Sequence, residues 1–199
     1  MTDKTIDTYN KFAKVYDEET KDFWDNFPGV VIDKFVGLIP GKKIVDLGSG
    51  PGQDALLLKA RGLEVVCVDA SNTMVAMTEK FGFKSVLSDF RDLNFNQNSF
   101  DGVWAYTSLL HLNRQEMMAV LKKINFFLKS KGVFMLGMIE GDFAGYVTRE
   151  TMPGSSRYFH HYQGNYLQSM VEDEGFNFVY QNKYQPRQHI YLNQLYVKK

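Results

Sequence analysis

The residues best suited to chemistry surround a glycine turn, Gly48 to Gly52, which joins one short apolar run to another. An apolar strand, a glycine turn and a helix start together frame a nucleotide-type ligand site. Three features disfavour a phosphate there: Gln53 replaces the last glycine of the dinucleotide fingerprint, Pro51 removes a backbone N–H, and Asp54 adds negative charge. Asp46 adds a second carboxylate just before the turn. The turn therefore favours a ligand that carries positive charge and no phosphate.

Two further aspartates follow the next two predicted strands. Asp69 ends the strand Glu64–Asp69, where a carboxylate can accept hydrogen bonds from both hydroxyls of a ribose. This role fits any adenosine ligand. Asp89 follows the third strand and can accept from an exocyclic adenine amine, while Met74 and Phe90 can pack on the purine faces. Each residue alone has a simpler structural role, so the inference rests on the order and spacing of the set.

These positions resemble the class I S-adenosylmethionine-dependent methyltransferases over roughly residues 40–140. The segments that carry the resemblance are Val45–Gly52, Val66–Ser71, Ser88–Phe90, Phe100–Tyr106 and Leu128–Phe134. Tyr9 and Tyr16, with Asp17, also resemble the N-terminal cap helix of the members that act on small molecules. The resemblance implies S-adenosyl-L-methionine as the cofactor, a sulfonium with an ammonium group, which suits an acidic pocket.

The resemblance also implies roles for individual residues. Gly48 and Gly50 would approach the methionine part of the cofactor, and Asp46 would orient its amine directly or through water. Asp69 would hold the ribose and Asp89 the adenine. The other residues expected to contact the cofactor are Tyr16, Gly52, Ala70, Met74, Phe90 and Ala105.

Candidate acceptor residues come from three segments that can reach the same edge of the sheet. His111 is the candidate general base, because a neutral imidazole can take a proton near pH 7. The candidate substrate-binding residues are Tyr9, Tyr106, Arg157 and His160. The aromatic segment 141–164 favours a partly aromatic or apolar acceptor, and the planar fork of Arg157 favours an acid. Oxygen, nitrogen, carbon and sulfur acceptors all stay open, and no metal is expected, because no acid lies at ligand spacing from His160 and His161.

Alternating apolar runs and helical patterns predict an α/β fold. We expect a doubly wound, mostly parallel, seven-stranded Rossmann-like sheet with helices on both faces and an antiparallel C-terminal strand. Residues 1–199 form one methyltransferase-like domain in this interpretation, with 1–40 as a helical cap and 140–164 as a lid insertion. The patterns also predict an amphipathic helix over 5–20, a helix over Pro51–Arg61 with proline first, a strand over Gly132–Ile139, and irregular structure over 140–163.

Composition narrows the class of protein. The 199 residues hold 23 Lys+Arg and 23 Asp+Glu, and no long basic cluster points to nucleic acid. The single cysteine, Cys67, lies in an apolar run, as a reduced core thiol would. No apolar run has membrane-spanning length and no signal peptide opens the chain, so we expect a cytoplasmic protein without a membrane partner. Monomer and homodimer are both compatible with the sequence.

The sequence thus predicts a methyltransferase that moves a methyl group to a small-molecule acceptor by in-line displacement. Three alternatives stay open. They are a cofactor-binding protein without activity, a protein or RNA methyltransferase, and an NAD-dependent oxidoreductase on a similar sheet. The absence of a Pro-Pro motif and the neutral charge weigh against an RNA substrate, and the composition of the glycine turn weighs against NAD.

Overall fold

The structure is a computed structural model that describes residues 2–199. The helices are α1 Asp3–Asp25, α2 Gly29–Leu38, α3 Gln53–Lys59, α4 Asn72–Lys80, α5 Arg114–Phe127 and α6 Gly164–Asp173. The strands are β1 Lys43–Leu47, β2 Glu64–Asp69, β3 Lys84–Leu87, β4 Phe100–Tyr106, β5 Leu128–Ile139, β6 Ala144–Val147, β7 Arg157–His160, β8 Phe176–Tyr184 and β9 Tyr191–Lys198. Short 3₁₀ turns lie at Phe90–Asp92 and Leu109–His111.

Seven strands form one sheet in the order β3-β2-β1-β4-β5-β9-β8. Strands β1 to β5 pair in parallel, and β9 runs antiparallel to both β5 and β8. This confirms the predicted fold class, including the single antiparallel strand near the C-terminus. The direction of the chain around the sheet reverses beside β1, so the crevice between β1 and β4 is the switch point where ligands of such sheets bind.

Helices cover both faces of the sheet, as a buried parallel sheet requires. On one face, apolar residues of α5 and α6, such as Leu121 and Leu167, pack on β4 and β5. On the other face, residues of α2 and α3, such as Phe35 and Leu58, pack on the side of β4 that carries Trp104. Within residues 2–199, no helix is long and apolar enough to cross a membrane.

Helix caps confirm two local predictions from the sequence, in which Ser71 caps a helix and Asn113, with Glu116 three residues later, opens another as a capping box. Ser71 caps α4, since its Oγ accepts a hydrogen bond from the Met74 N–H at 3.2 Å. Asn113 and Glu116 form a reciprocal capping box at the start of α5, each side chain accepting from the other's backbone N–H at 3.0 Å. These short sequence signals satisfy the free N–H groups of a helix start, so they fix where each helix begins.

Several predicted boundaries were wrong. Helix α3 begins at Gln53, not Pro51, because Gly52 has φ +94° and its N–H closes a turn on the Ser49 carbonyl. Strand β5 begins at Leu128, which pairs with Phe100 before a bulge, so Gly132 lies inside the strand.

Two longer segments also differ from the prediction. Helix α1 extends over Asp3–Asp25 and bends at Phe12, where φ is −117° and ψ is 22°. The last turns of α1 are mostly polar in sequence, but Phe23 in these turns packs into the core. Segment 140–163 is not irregular throughout, because β6 and β7 pair as an antiparallel hairpin in register Ala144↔His160 to Val147↔Arg157.

Helix α1 crosses the carboxyl edge of the sheet and is tied down along its length. Asn10 accepts a hydrogen bond from the Ser71 hydroxyl at 2.7 Å, and Asp17 accepts one from the Gln53 amide at 2.9 Å. The Thr8 hydroxyl donates to the Ser156 carbonyl at 3.0 Å, beside β7. Helix α1 and the β6–β7 hairpin therefore enclose the edge of the sheet that carries the glycine turn.

Candidate functional site

The glycine turn after β1 has no room for a side chain at its first residue. Gly48 has φ +76°, and a Cβ added there would lie 2.3 Å from the Ser108 Cβ. Gly50 has φ +52°, and its N–H donates to the Asp69 carboxylate at 2.9 Å. The backbone N–H groups of Gly48 and Ser49 both donate to the Val68 carbonyl. The turn is therefore held rigidly between β1 and β2, in a backbone conformation that favours glycine.

Two buried carboxyl groups lie below the turn. Asp46 is fully buried beside the Asp54 carboxyl, and within residues 2–199 no N–H group or cation binds its oxygens. Burial, together with the neighbouring Asp54 carboxyl, raises the pKa of Asp46 well above its ordinary value. Burial also raises the pKa of Asp54 to about 6, although hydrogen bonds from the Asp46 carboxyl, the Ala55 N–H and the Trp104 indole oppose this rise. The site thus holds acidic groups that are short of positive charge.

Asp69 brings a third carboxylate to the same place. Its two oxygens accept from the Gly50 N–H at 2.9 Å and the Ser71 N–H at 2.8 Å, which fixes its orientation. Burial raises the pKa of Asp69 to about 6 despite these bonds. A carboxylate oxygen has more than one acceptor position, so Asp69 can still accept from ligand hydroxyls.

The turn opens into a cavity of about 400 Å³, called here the turn cavity. It brings together many of the residues singled out in the sequence: Tyr9, Tyr16, Gly48, Gly50, Asp69, Met74, Phe90, Tyr106 and His111. These residues lie in five separate stretches of the chain, and the carboxyl edge of the sheet collects them.

Other predicted cofactor residues do not line the turn cavity. Asp46 and Ala105 are buried in β1 and β4, and Gly52 packs toward Thr78, 3.1 Å from where its Cβ would lie. Ala70 follows Asp69 at the end of β2 and does not line it either.

Asp89 does not line the turn cavity either, because its carboxylate is paired with a neighbouring residue. Its carboxylate receives bidentate hydrogen bonds from the Arg91 guanidinium at 3.0 Å and caps the 3₁₀ turn through the Arg91 N–H. Although burial opposes it, this pairing holds the pKa of Asp89 below its ordinary value. Its role at an adenine stays a prediction, whereas its neighbour Phe90 does line the cavity.

A second cavity of about 590 Å³, called here the ring cavity, lies directly beside the first. Tyr9, Tyr16 and Thr107 line both cavities and so form the boundary between them. Its other walls are mainly aromatic and apolar, with arginines among them: Thr20, Phe23, Trp24, Leu110, Ile139, Arg149, Arg157, Phe159, Arg187 and Tyr191. Two ligands could therefore meet across this boundary.

A chain of hydrogen bonds crosses the boundary at His111. The Arg157 guanidinium donates to the Tyr9 hydroxyl at 3.1 Å, and that hydroxyl lies 2.8 Å from His111 Nε2. His111 Nδ1 lies 2.6 Å from the Tyr158 carbonyl, which can only accept, so Nδ1 carries the proton and Nε2 accepts from Tyr9. Burial lowers the pKa of His111 to about 3, and the charge of Arg157 adds to the lowering. The imidazole is therefore neutral at pH 7.

His160 lies away from both cavities. It stacks on Tyr162 at 4.3 Å between ring centroids and lines a separate surface groove with Arg114 and Tyr166. Since side chains alternate along a strand, Arg157 and Phe159 of β7 face the ring cavity while His160 faces the other way. Its role in acceptor binding stays a prediction. Among residues 2–199, no group of three or more His, Cys, Asp or Glu side chains could hold a metal ion.

The sequence missed Thr107, which stands at the centre of the boundary. It has φ +47°, an uncommon backbone conformation for a β-branched residue, and its N–H donates to the Gly137 carbonyl. Strained backbone of this kind is concentrated at functional sites. No sequence signal marks a threonine for positive φ, so only the structure finds it.

The residues of the turn cavity fit an S-adenosyl group. Gly48 and Gly50 line the cavity without side chains, the buried Asp46 carboxyl lies under the turn, and Asp69 is oriented at its rim. Buried carboxylates without counter-ions favour a ligand that carries positive charge. Phe90 and Met74 supply apolar walls for a purine.

Comparison with known proteins agrees with this interpretation. The family described as "Methyltransferase domain" matches residues 45–136. This stretch runs from Val45 in β1 to Leu136 in β5, so it contains the glycine turn and strands β2 to β4.

Two proteins of similar sequence are named as methyltransferases. The cypemycin N-terminal methyltransferase of Streptomyces sp is 33% identical over 136 residues, covering 61% of this chain and 55% of that protein. The sarcosine/dimethylglycine N-methyltransferase of Aphanothece halophytica is 30% identical over 115 residues, covering 53% of this chain and 40% of that protein. The chain thus spans about half the length of these curated relatives.

A solved structure extends the likeness to nearly the whole chain. The 1,6-didemethyltoxoflavin-N1-methyltransferase of Burkholderia thailandensis, with bound 1,6-didemethyltoxoflavin and S-adenosylhomocysteine, has a TM-score of 0.70 at 17% identity. It covers 96% of this chain and 88% of that chain. At this identity the likeness establishes the fold.

The buried acids predict an unusual pH dependence of stability. The folded chain binds protons more tightly than the unfolded chain wherever a carboxyl pKa is raised, so their stabilising contribution is present at low pH and lost as pH rises. With the pKa of Asp54 raised from 3.8 to about 6, the loss should fall between about pH 4 and pH 6. Asp54→Asn removes this titration. The free energy of unfolding of the variant, relative to that of the unmodified chain, should therefore increase as pH rises over that interval.

Urea unfolding of both proteins without ligand between pH 4 and pH 7 measures this difference. Asp33 is exposed, so Asp33→Asn is the control for removing a carboxylate that is not buried. A stability difference for Asp54→Asn that stays flat or decreases as pH rises would contradict the assignment of a raised pKa.

Proposed function

We propose that this chain, which belongs to the class I S-adenosylmethionine-dependent methyltransferase family and uses S-adenosylmethionine as its cofactor, transfers a methyl group to a small-molecule acceptor. The observation that carries the proposal is the contact between two cavities at Tyr9, Tyr16 and Thr107. The turn cavity would hold the cofactor and the ring cavity the acceptor. Two adjoining cavities suit a reaction between two bound molecules better than a binding role alone.

Methyl transfer requires the acceptor atom to lie in line with the leaving group, about 3–3.5 Å from the carbon that moves. When bound, the cofactor supplies an electrophilic methyl group on a sulfonium that leaves as a thioether. The contribution of the chain is to position both molecules and to exclude water. Helix α1 and the β6–β7 hairpin would act as cap and lid, since Thr5 and Thr8 bind the backbone of the hairpin at Tyr158 and Ser156.

The cofactor roles follow the geometry of the turn cavity. Gly48 and Gly50 would lie against the methionine part, and Asp46 below them would favour its ammonium group. Asp69 would accept from the ribose hydroxyls, and Phe90 would pack on the adenine. Tyr16 would approach the methionine carboxylate with its hydroxyl.

Proton removal from the acceptor would run through Tyr9. Its hydroxyl lies between Arg157, which lines the ring cavity, and His111 Nε2, so it could take a proton from the acceptor while handing its own to His111. His111 is the base that the sequence predicted, but a pKa of about 3 makes its imidazole a weak one, so this route would serve an acceptor whose own proton is acidic. Tyr106, which lines the turn cavity with a buried hydroxyl that has no hydrogen-bond partner within residues 2–199, is the other candidate to contact the reacting groups.

Asp69→Ala should weaken binding of S-adenosylhomocysteine by about 1.5–3 kcal/mol, roughly ten- to one-hundred-fold in Kd, because it removes hydrogen bonds to a charged acceptor. Titration calorimetry measures this change. The 2′-deoxy analogue tests the ribose contact itself: the unmodified chain should bind it more weakly than S-adenosylhomocysteine, and the variant should bind both alike.

Asp33→Ala is the matched control and should bind both ligands as the unmodified chain does. Because Asp69 also holds Gly50 and Ser71, the Tm of each variant is measured alongside. The ribose assignment fails where a folded Asp69→Ala still discriminates between the two ligands.

Methyl transfer itself is tested by incubating the chain with S-adenosylmethionine and a library of small amines, phenols and carboxylic acids. We expect acceptor-dependent release of S-adenosylhomocysteine, seen by mass spectrometry together with an acceptor that has gained one methyl group. With that acceptor, His111→Asn should lower turnover at least about ten-fold if proton removal limits the rate. Binding of S-adenosylhomocysteine without turnover on any acceptor would contradict the proposal and favour a binding protein without activity.

A further inference from the structure

Arg157 is a buried cation that forms no ion pair with any carboxylate of residues 2–199. It is the first residue of β7, only 3% exposed, and it lines the ring cavity. Its guanidinium lies between the rings of Tyr9 and Phe159, with Cζ 5.3 Å and 5.2 Å from their centroids. Nη1 donates to the Tyr9 hydroxyl, whereas Nη2 is buried and has no hydrogen-bond partner within residues 2–199.

The other two arginines of the ring cavity differ in this respect. Arg149 pairs with Glu19 at 3.0 Å, and Arg187 pairs with Asp22 and the Glu19 carbonyl. Both are close to half exposed, at the outer side of the cavity. Within residues 2–199, Arg157 forms no ion pair, so the innermost arginine is the one whose charge is left unmatched.

An unmatched buried charge is costly, and proteins retain one where a ligand completes the pair. The planar guanidinium presents donors in a fixed fork that suits a carboxylate. A phosphate dianion would require more donors, and Arg157 is the single inner cation of the cavity. The surrounding walls are aromatic, with Phe23, Trp24 and Phe159 among them.

We propose that the methyl acceptor is an aromatic or apolar carboxylate whose carboxylate group pairs with Arg157 through Nη2. The assignment rests on the proposed function, because it takes the ring cavity to be the acceptor site. The apolar part lies against the rings of Phe23 and Trp24, and the reacting atom lies toward Tyr9 and Thr107. The carboxylate also offsets the charge of Arg157, which is one of the causes that hold the pKa of His111 low.

The competing occupant of Arg157 is the carboxylate of the cofactor's own methionine part. Arg157 lines the ring cavity and not the turn cavity, which favours the acceptor. The two possibilities predict different effects of the same substitution, so one experiment separates them.

The experiment compares matched neutral and anionic probes. Benzoate with benzamide, and phenylacetate with phenylacetamide, are titrated against the unmodified chain and Arg157→Gln by NMR, with and without S-adenosylhomocysteine. The unmodified chain should bind each carboxylate about ten-fold or more tightly than its amide, and Arg157→Gln should lose this preference. The affinity of S-adenosylhomocysteine should change by less than about three-fold.

Equal binding of carboxylates and amides by the unmodified chain would overturn the proposal. So would a large loss of S-adenosylhomocysteine affinity in Arg157→Gln, which would assign the guanidinium to the cofactor. If the unmodified chain prefers carboxylates but does not bind S-adenosylhomocysteine, the proposed function fails while the anion site stands.

Controls separate binding from folding. Arg61→Gln removes an arginine that pairs with Asp33 outside both cavities, and it should keep the carboxylate preference. Arg157→Lys keeps the charge without the planar fork, so it should bind the carboxylates more weakly and the amides unchanged. A Tm decrease in Arg157→Gln with the carboxylate preference intact would show a structural role and refute the assignment. Should Arg157→Gln not fold, unchanged carboxylate binding by Arg157→Lys would do so.

Discussion

The constraint on which the site depends is negative charge buried without a counter-ion. Asp46, Asp54 and Asp69 gather under the glycine turn, and within residues 2–199 none of them forms an ion pair. Burial raises the pKa of each carboxyl, and a cationic ligand would oppose that rise by favouring the ionised form. The same charge opposes a phosphate, which separates this turn from a dinucleotide site built on a similar sheet. The acids therefore favour a cationic cofactor, and Gly48 and Gly50 line its cavity without side chains.

The second half of the site is built from outside the sheet. Helix α1 brings Tyr9 and Tyr16 across the carboxyl edge, and the β6–β7 hairpin brings Arg157 against Tyr9. Charge changes sign across this boundary, from carboxylates at the turn to an unmatched guanidinium in the ring cavity. A cationic cofactor and an anionic acceptor would each find the opposite charge in its own cavity, with Arg157 next to the boundary. The reacting groups would then meet at Tyr9 and Thr107.

The sequence predicted the parts of the site that local chemistry encodes. The glycine turn, Asp69 and the caps of α4 and α5 depend on neighbouring residues, and the structure has the turn and both caps where the patterns placed them. It did not predict the start of α3, because the left-handed Gly52 outweighs the preference of Pro51 for a first helical turn. The β6–β7 hairpin was not predicted either, because the alternation of apolar and polar residues along its two strands is short and interrupted. Without that alternation, Arg157 and His160 looked equally suited to a substrate, although β7 turns them to opposite sides. The contact of Arg157 with Tyr9 depends on distant packing that no local pattern reveals.

The central claim is that a methyl group passes between the two cavities at their shared boundary. The crystal structure of the chain with S-adenosylhomocysteine tests this most directly, because it locates the sulfur from which the methyl group would leave. We expect the ribose on Asp69 and the sulfur facing Tyr9 and Thr107, with a free path into the ring cavity. A ligand bound elsewhere, or a sulfur that faces away from the ring cavity, would contradict the account.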